Sequence, residues 1–212
     1  MRLTGSRGDT RRINRPKPLL VVFSAPSGAG KSTIVDLLAR GNRSFCKSIS
    51  ATTRPRRKGE RGGRHYFFLS REEFRSKQRR KKFIETAEVF GEWYGTPRGY
   101  VLHAEAAGKT VLFDIDIQGG MAVKKWRRDA VLIFVLPPSI PILRQRLRRR
   151  ESETAAAIEL RLACALKEIK YWSKYDYVVV NDELDETVAL ISKIIRAESQ
   201  RTSRLQAADS GL

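Results

Sequence analysis

The sequence predicts an α/β fold, a parallel sheet covered by helices on both faces and interrupted by an insert of short antiparallel strands. Three observations predict it. Short apolar runs rich in β-branched residues recur at 19–23, 110–116, 131–136 and 177–180, with the length and composition of buried strands. Stretches with helical spacing of apolar residues lie among them, at 118–128, 139–150, 154–173 and 184–203, and such alternation implies crossover units on one parallel sheet. The piece from about 50 to 104 breaks the alternation with short aromatic and glycine-bearing segments.

The bulk properties set the frame. A chain of 212 residues suits one domain with inserts and buries a sizeable core. Its charged fraction of 31% and apolar fraction of 41% are those of an ordinary soluble protein. The apolar runs are too short to span a membrane, and no apolar leader follows the N-terminus. Cys46 and Cys164 stand alone and the only histidines are His65 and His103. That argues against a zinc site, a disulfide framework or triad chemistry, and fits a reducing cytoplasm. The net charge of +19 invites a nucleic-acid reading. The basic residues are spread along the whole chain, however, and no RNA-binding aromatic signature accompanies them. The charge predicts nonspecific attraction to nucleic acid and no specific function there.

Residues 1–17 carry Arg2, Arg7, Arg11, Arg12, Arg15 and Lys17 against a single Asp9, with almost no apolar content. They read as a flexible basic tail, since no amphipathic face supports a transit peptide.

The domain proper, 18–205, opens with the apolar run Leu19–Phe23, followed by Ser24-Ala25-Pro26-Ser27-Gly28-Ala29-Gly30-Lys31-Ser32-Thr33 and then Ile34, Val35, Leu37 and Leu38 at helical spacing. Strand, small-residue loop ending in Gly-Lys-Ser, and helix form the context of a phosphate-binding P-loop. Small residues let backbone N–H groups curl around phosphate oxygens, and the helix N-terminus adds its positive end. Residues Ala25 to Thr33 are therefore expected to hold ATP. Lys31 would reach the β and γ phosphates, and the Ser32 hydroxyl would ligate Mg²⁺. Ala25 stands where the general pattern has glycine, a small intrusion wherever φ stays negative.

Ser48–Thr53 reads as a short strand and His65–Leu69 as another. Ser70 and Glu73 make a capping box opening a helix at Arg71. Arg79-Arg80-Lys81-Lys82 reads as a solvated turn, Phe83–Val89 as a strand, and Gly91–Gly99 as a loop leading to a helix near 100–107. Thr110–Asp116 ends in carboxylates at the sheet's carboxyl edge, where P-loop proteins keep metal-organising acids.

Within the insert, Ser50-Ala51-Thr52-Thr53-Arg54-Pro55-Arg56-Arg57-Lys58-Gly59-Glu60, followed by Tyr66 and Phe68, resembles the GMP-binding signature of guanylate kinases. The resemblance runs over roughly 18–200. It includes Phe83-Ile84-Glu85, Tyr94-Gly95-Thr96, Asp114-Ile115-Asp116-Ile117-Gln118-Gly119 and Val180-Asn181-Asp182. It implies a core of 18–49, 105–143 and 170–205, a GMP-binding insert at 50–104 and a mobile lid at 144–169. It implies an ATP:GMP phosphotransferase of purine nucleotide metabolism, which recycles GMP toward GDP and GTP and accepts dGMP as well.

The chemistry agrees residue by residue. Arg54 and Arg57 suit a dianionic monophosphate, with hydroxyls from Tyr66 and Tyr94. Guanine offers N1–H and an amine side by side, which one carboxylate, Glu85, accepts together; adenine lacks that pattern. The family comparison implies Ser50 and Thr96 on the remaining guanine edge, and Glu60 and Asp116 near the GMP and metal region. It places Arg146, Arg150 and Arg161 in the lid, against the transferring phosphoryl group. There Glu151 replaces a common Arg-Gly step and Ala155-Ala156-Ala157 a more acidic stretch. Asn181 matches a position that contacts adenine in relatives, while an ordinary helix N-cap or turn residue accounts for it nearly as well.

Two other readings are weaker. Asp116-Ile117-Gln118-Gly119 has the Asp-x-x-Gly form of a GTPase switch, but no Asn-Lys-x-Asp run accompanies it. A non-catalytic guanylate-kinase-like binding module would lose the P-loop lysine, and Lys31 is present. The expected partners are ATP and GMP, without nucleic acid or membrane, and a homo-oligomer is left open.

Overall fold

The computed structural model describes residues 15–89, 91–148 and 155–206. Its first element, β1 (Arg15–Pro16), precedes β2 (Leu20–Ser24), whose apolar run leads through the Gly-containing loop into α1 (Lys31–Gly41). The strand β3 (Phe45–Lys47) follows, and the insert then contributes β4 (Ala51–Thr52), β5 (Phe67–Phe68), α2 (Arg71–Arg79), β6 (Phe83–Val89) and β7 (Glu92–Pro97). After α3 (Arg98–Ala106), β8 (Thr110–Asp114), α4 (Ile117–Trp126) and β9 (Val131–Leu136) resume the alternation. It closes with α5 (Ile140–Arg148), α6 (Ala155–Ile169), β10 (Tyr177–Val180), α7 (Leu184–Ser199) and β11 (Leu205–Gln206).

The sheet order β10-β9-β2-β8-β3 is parallel at every pairing. β2 lies at its centre, with Val22 beside Phe113 on one side and Leu132 on the other. Alternate residues of a strand face opposite sides. Leu19, Val21 and Phe23 accordingly pack with Ile34, Val35 and Leu38 of α1 and with Ile191 and Ile195 of α7. Leu20 and Val22 pack with Val101 and Ala104 of α3 and with Val123 of α4. Both faces are apolar because both are covered, and the central strands therefore read as continuous hydrophobic runs. A third cluster joins Leu143 and Leu147 of α5 to Ile158 and Leu162 of α6.

The second sheet, β5-β4-β7-β6, is the insert. Its β4–β7 and β6–β7 pairs are antiparallel, but β4 and β5 run parallel. The capping box is present: Ser70 Oγ accepts from Glu73 N (3.1 Å), and Glu73 Oε2 from Ser70 N (2.7 Å).

Some segments differ from expectation. The strand expected at 48–53 shrinks to β4 in the small sheet, and a strand not expected there, β3, precedes it and completes the parallel sheet. Cys46 and Lys47 hide β3, because an edge strand needs no apolar run. The segment 91–99 is largely strand, with Gly91 (φ +77°) turning the β6–β7 hairpin. Gly95 suggests a loop, yet it is glycine for proximity: a Cβ there would stand 3.0 Å from the Glu85 carbonyl and from Thr86 Cγ2. The helices expected to reach 173 and 203 end at Ile169 and Ser199, each followed by a short 3-10 turn. At the edge of the expected tail, β1 pairs antiparallel with β11.

Candidate active site

The P-loop lies where β2 ends and α1 begins. Gly28 and Gly30 both adopt φ of +91°, a region that favours glycine. Gly30 is the N-cap of α1 with no side-chain hydrogen bond, and no acidic residue stands in the first turn. The helix's positive end is thus left without a side-chain cap, an arrangement that suits an anion. Ala25 keeps a negative φ and packs against the core, so the departure from glycine brings no left-handed backbone strain to the loop. Ser32 and Thr33 are exposed on the first turn of α1.

The loop is braced from below and beside. Asn181, buried at the end of β10, donates from Nδ2 to the Ala29 carbonyl (2.7 Å). A Cβ on Gly30 would come within 2.4 Å of that nitrogen, and one on Gly28 within 3.0 Å of Leu143 and Leu147 of α5. Asn181 is therefore a support of the loop and not the N-cap of α7, which is Glu183.

Lys31 donates to the Ile115 carbonyl (2.7 Å) and pairs with Asp114 (3.0 Å). Burial alone would raise the Asp114 pKa. The charges of Lys31 and Lys47, with hydrogen bonds from Lys31 and Ser32, outweigh burial and lower it to about 2. Lys47, which pattern reasoning passes over, lies 3.1 Å from Asp114 and 2.9 Å from Asp36. Its only signal is position, at the end of a short strand beside β8.

Facing the P-loop lysine, a cavity of about 250 Å³ is lined by Ser50, Tyr66, Glu85, Tyr94 and Asp116 together with Lys31. Glu85 is buried and accepts from Thr96 Oγ1 at 2.6 Å. An irregularity in the β6–β7 register between Phe83 and Thr86 aims it into the cavity. Gly119 leaves room for it, since a Cβ there would stand 3.3 Å from Glu85 Oε2. Burial, with the nearby Asp116 charge, pushes the Glu85 carboxyl up to about 7 despite the Thr96 hydroxyl. Asp116 caps α4, accepting from Gly119 N at 2.7 Å.

Arg54 is held in a two-pronged pair with Glu60 (2.7 and 3.1 Å), its guanidinium 5.4 Å from the Tyr66 ring centroid. Hydrogen bonds from Arg54 and from the Arg57 backbone hold Glu60 at a pKa of about 2. The Tyr66 and Tyr94 rings meet edge-on at 6.0 Å. The Arg57 side chain is exposed, and its backbone N–H is what bonds Glu60.

On the lid side, Arg146 of α5 donates to the Asn181 carbonyl (3.1 Å), and Arg161 is half-buried on α6. Arg150 lies outside the described residues. Glu168 of α6 accepts from the Ser27 backbone N–H, and burial raises its pKa; as one carboxylate on a long helix it carries no sequence signal.

A family model described as guanylate kinase matches residues 17–198. The chain is 47% identical to the guanylate kinase of Symbiobacterium thermophilum over 195 residues, 92% of either chain. It is 44% identical to that of Clostridium tetani over 190 residues, 90% of this chain and 91% of the relative. The crystal structure of guanylate kinase from Anaplasma phagocytophilum superposes with a TM-score of 0.75 at 38% identity, covering 90% of this chain and 91% of that one.

Proposed function

The chain belongs to the guanylate kinase family and phosphorylates GMP to GDP at the expense of ATP; on that premise we propose the following roles for its residues. The P-loop from Ala25 to Thr33 takes the ATP phosphates, and the cavity around Glu85 takes guanine. The observation that carries the assignment is the buried Glu85, fixed by Thr96, in a cavity that opens onto Lys31. Its two oxygens match the paired donors of guanine, with Ser50 on the same cavity wall.

The GMP phosphate is the nucleophile and is already ionised, so no general base is required. Arg54, pre-aimed by Glu60, and Arg57 bind it, with Tyr66 and Tyr94 donating hydroxyls. Lys31 leaves the Ile115 carbonyl and Asp114 to meet the γ-phosphoryl group. Arg146, Arg150 and Arg161 converge from the lid, so that catalysis is positioning and charge stabilisation. Closure of the lid excludes water and protects ATP from hydrolysis.

The residues also suit Mg²⁺. Among the described residues no cluster of three or more His, Cys, Asp or Glu is placed to hold a metal. Mg²⁺ on a triphosphate needs only one or two protein groups. The Ser32 hydroxyl, hydrogen-bonded to Asp114 at the sheet's carboxyl edge, meets that need. When bound, Mg²⁺ neutralises charge on the β and γ phosphates. The free thiols of Cys46 and Cys164 fit a cytoplasmic setting. No helix among the described residues is long and apolar enough to cross a membrane.

The test is a coupled ADP-release assay with MgATP and each of GMP, dGMP, AMP, CMP and UMP. Fast turnover with GMP, slower with dGMP and little with the rest is expected. ADP release independent of any monophosphate would overturn the assignment of the second site.

A further inference from the structure

Lys47 stands at the end of β3, in register with Leu112 of β8. Residues two apart on a strand share a face, so Lys47 reaches along β8 to Asp114, one position beyond its partner's neighbour. Its ammonium lies 3.1 Å from Asp114 Oδ2, while Lys31 holds Asp114 Oδ1 at 3.0 Å. Asp36 of α1 anchors the same ammonium from the other side at 2.9 Å. Asp114 thus has one cation on each oxygen, and the two differ in what else they must do. Lys31 belongs to the P-loop and has phosphates to reach, whereas Lys47 is tied to α1 and β8.

We propose that Lys47 is a positioning residue, which keeps Asp114 paired when Lys31 leaves it for the ATP phosphates. The inference rests on the reading that Lys31 makes that move. A largely buried carboxylate that lost its sole cation would resist the departure, since an uncompensated buried charge is costly. With Lys47 in place Asp114 is never uncompensated, and Lys31 is released at lower cost. Lys47 need not touch the nucleotide for this. It acts on the ligand-free state, where the Lys31–Asp114 pair competes with ATP, and a ligand's affinity includes the cost of what it displaces.

The test is calorimetric titration of ATP into the full chain, in Mg²⁺ and again in EDTA. Variants are Lys47→Met, Lys47→Gln, Lys47→Arg, Asp114→Asn and the Lys47→Met/Asp114→Asn double variant. The neutral Lys47 variants are expected to raise the ATP Kd about tenfold in both buffers, with Lys47→Arg near wild type. In the Asp114→Asn background Lys47→Met should change nothing further, because the charge it serves is gone. An unchanged Kd in Lys47→Met and Lys47→Gln would overturn the proposal. So would an equal loss in the Asp114→Asn background, which would mean direct contact with phosphate. Lys31→Met in the same series separates the two readings. If it binds ATP as the wild type does, the P-loop assignment fails; if it alone loses ATP, only the role of Lys47 fails.

Discussion

The Asn181 amide nitrogen sits 2.7 Å from the Ala29 carbonyl, so the end of β10, the last parallel strand in chain order, holds up the loop proposed to wrap the ATP phosphates. The bond is buried, and 152 residues of chain separate its partners. Replacing Asn181 with Ala removes the donor and strands the carbonyl. The expected cost is about 1–3 kcal/mol of stability. The KM for ATP should rise more than the KM for GMP. Denaturant unfolding and steady-state kinetics with each substrate varied separately check both.

Gly30 is the other half of that arrangement. A Gly30→Ala variant must place a methyl 2.4 Å from Asn181 Nδ2 on a backbone at φ +91°. ATP binding should be lost, with turnover reduced at least about a hundredfold. The Gly30→Ala/Asn181→Ala double variant should recover part of it, since the clash goes but the backbone strain stays. Losses that simply add would show that the two residues do not act through one contact.

Lys31→Ala should lower kcat on the order of a thousandfold, as expected for a group aimed at the transferring phosphoryl. The fold should persist, because Asp114 keeps Lys47. Near-normal turnover, or a collapsed thermal transition, would refute the role assigned.

Glu85 carries a pH signature. Its carboxyl is pushed up to about 7 in the ligand-free fold, against 4.5 ordinarily. The native state therefore holds a proton that the unfolded chain has released between those values. This contribution to stability is fully present below about 4.5 and is lost as pH rises through about 7. Guanine needs the ionised form, so GMP binding should take up no proton above pH 7 and release one below it. The KM for GMP should rise by up to about tenfold per unit of acidification below 7. The GMP phosphate itself titrates near about 6, and Glu85→Gln separates the two effects. That variant keeps the phosphate limb, loses the carboxylate limb and discriminates less against AMP.

Glu198 accepts from the Tyr177 hydroxyl and pairs with Arg201 (3.1 Å) and Arg204 (3.0 Å), while itself only 3% exposed. Glu198→Ala leaves the half-buried Tyr177 hydroxyl and Arg204 without their carboxylate, while the exposed Arg201 turns to water, and should cost about 1–3 kcal/mol. Guanidinium unfolding should show the loss with KM values for both nucleotides unchanged.

Much of the site is legible in the sequence, because its chemistry is local. Gly30-Lys31-Ser32 carries the proposal of phosphate binding within three residues, and Glu85, the proposed guanine acceptor, stands in a recognisable Phe-Ile-Glu step. The central strands are legible because burial on both faces leaves them wholly apolar. What the sequence hides is what depends on distant pairing. β3 is an edge strand with no apolar run, and Gly95 looks like a turn although its smallness serves the approach of β6. Lys47 and Glu168 are ordinary charged residues until the fold sets them beside Asp114 and Ser27. Asn181 carries a motif match, but its contact with Ala29 follows only from the parallel sheet.

The pairing of Arg15–Pro16 with Leu205–Gln206 brings the two ends of the described chain together at the rim where the parallel strands start. Ser24, Asp114 and the nucleotide-facing loops stand at the rim where those strands finish. A surface coupled at this pairing would therefore leave the proposed nucleotide sites on the side away from it. Tethered to a bead or an electrode by that clasp, the protein would remain open to solvent on its working side.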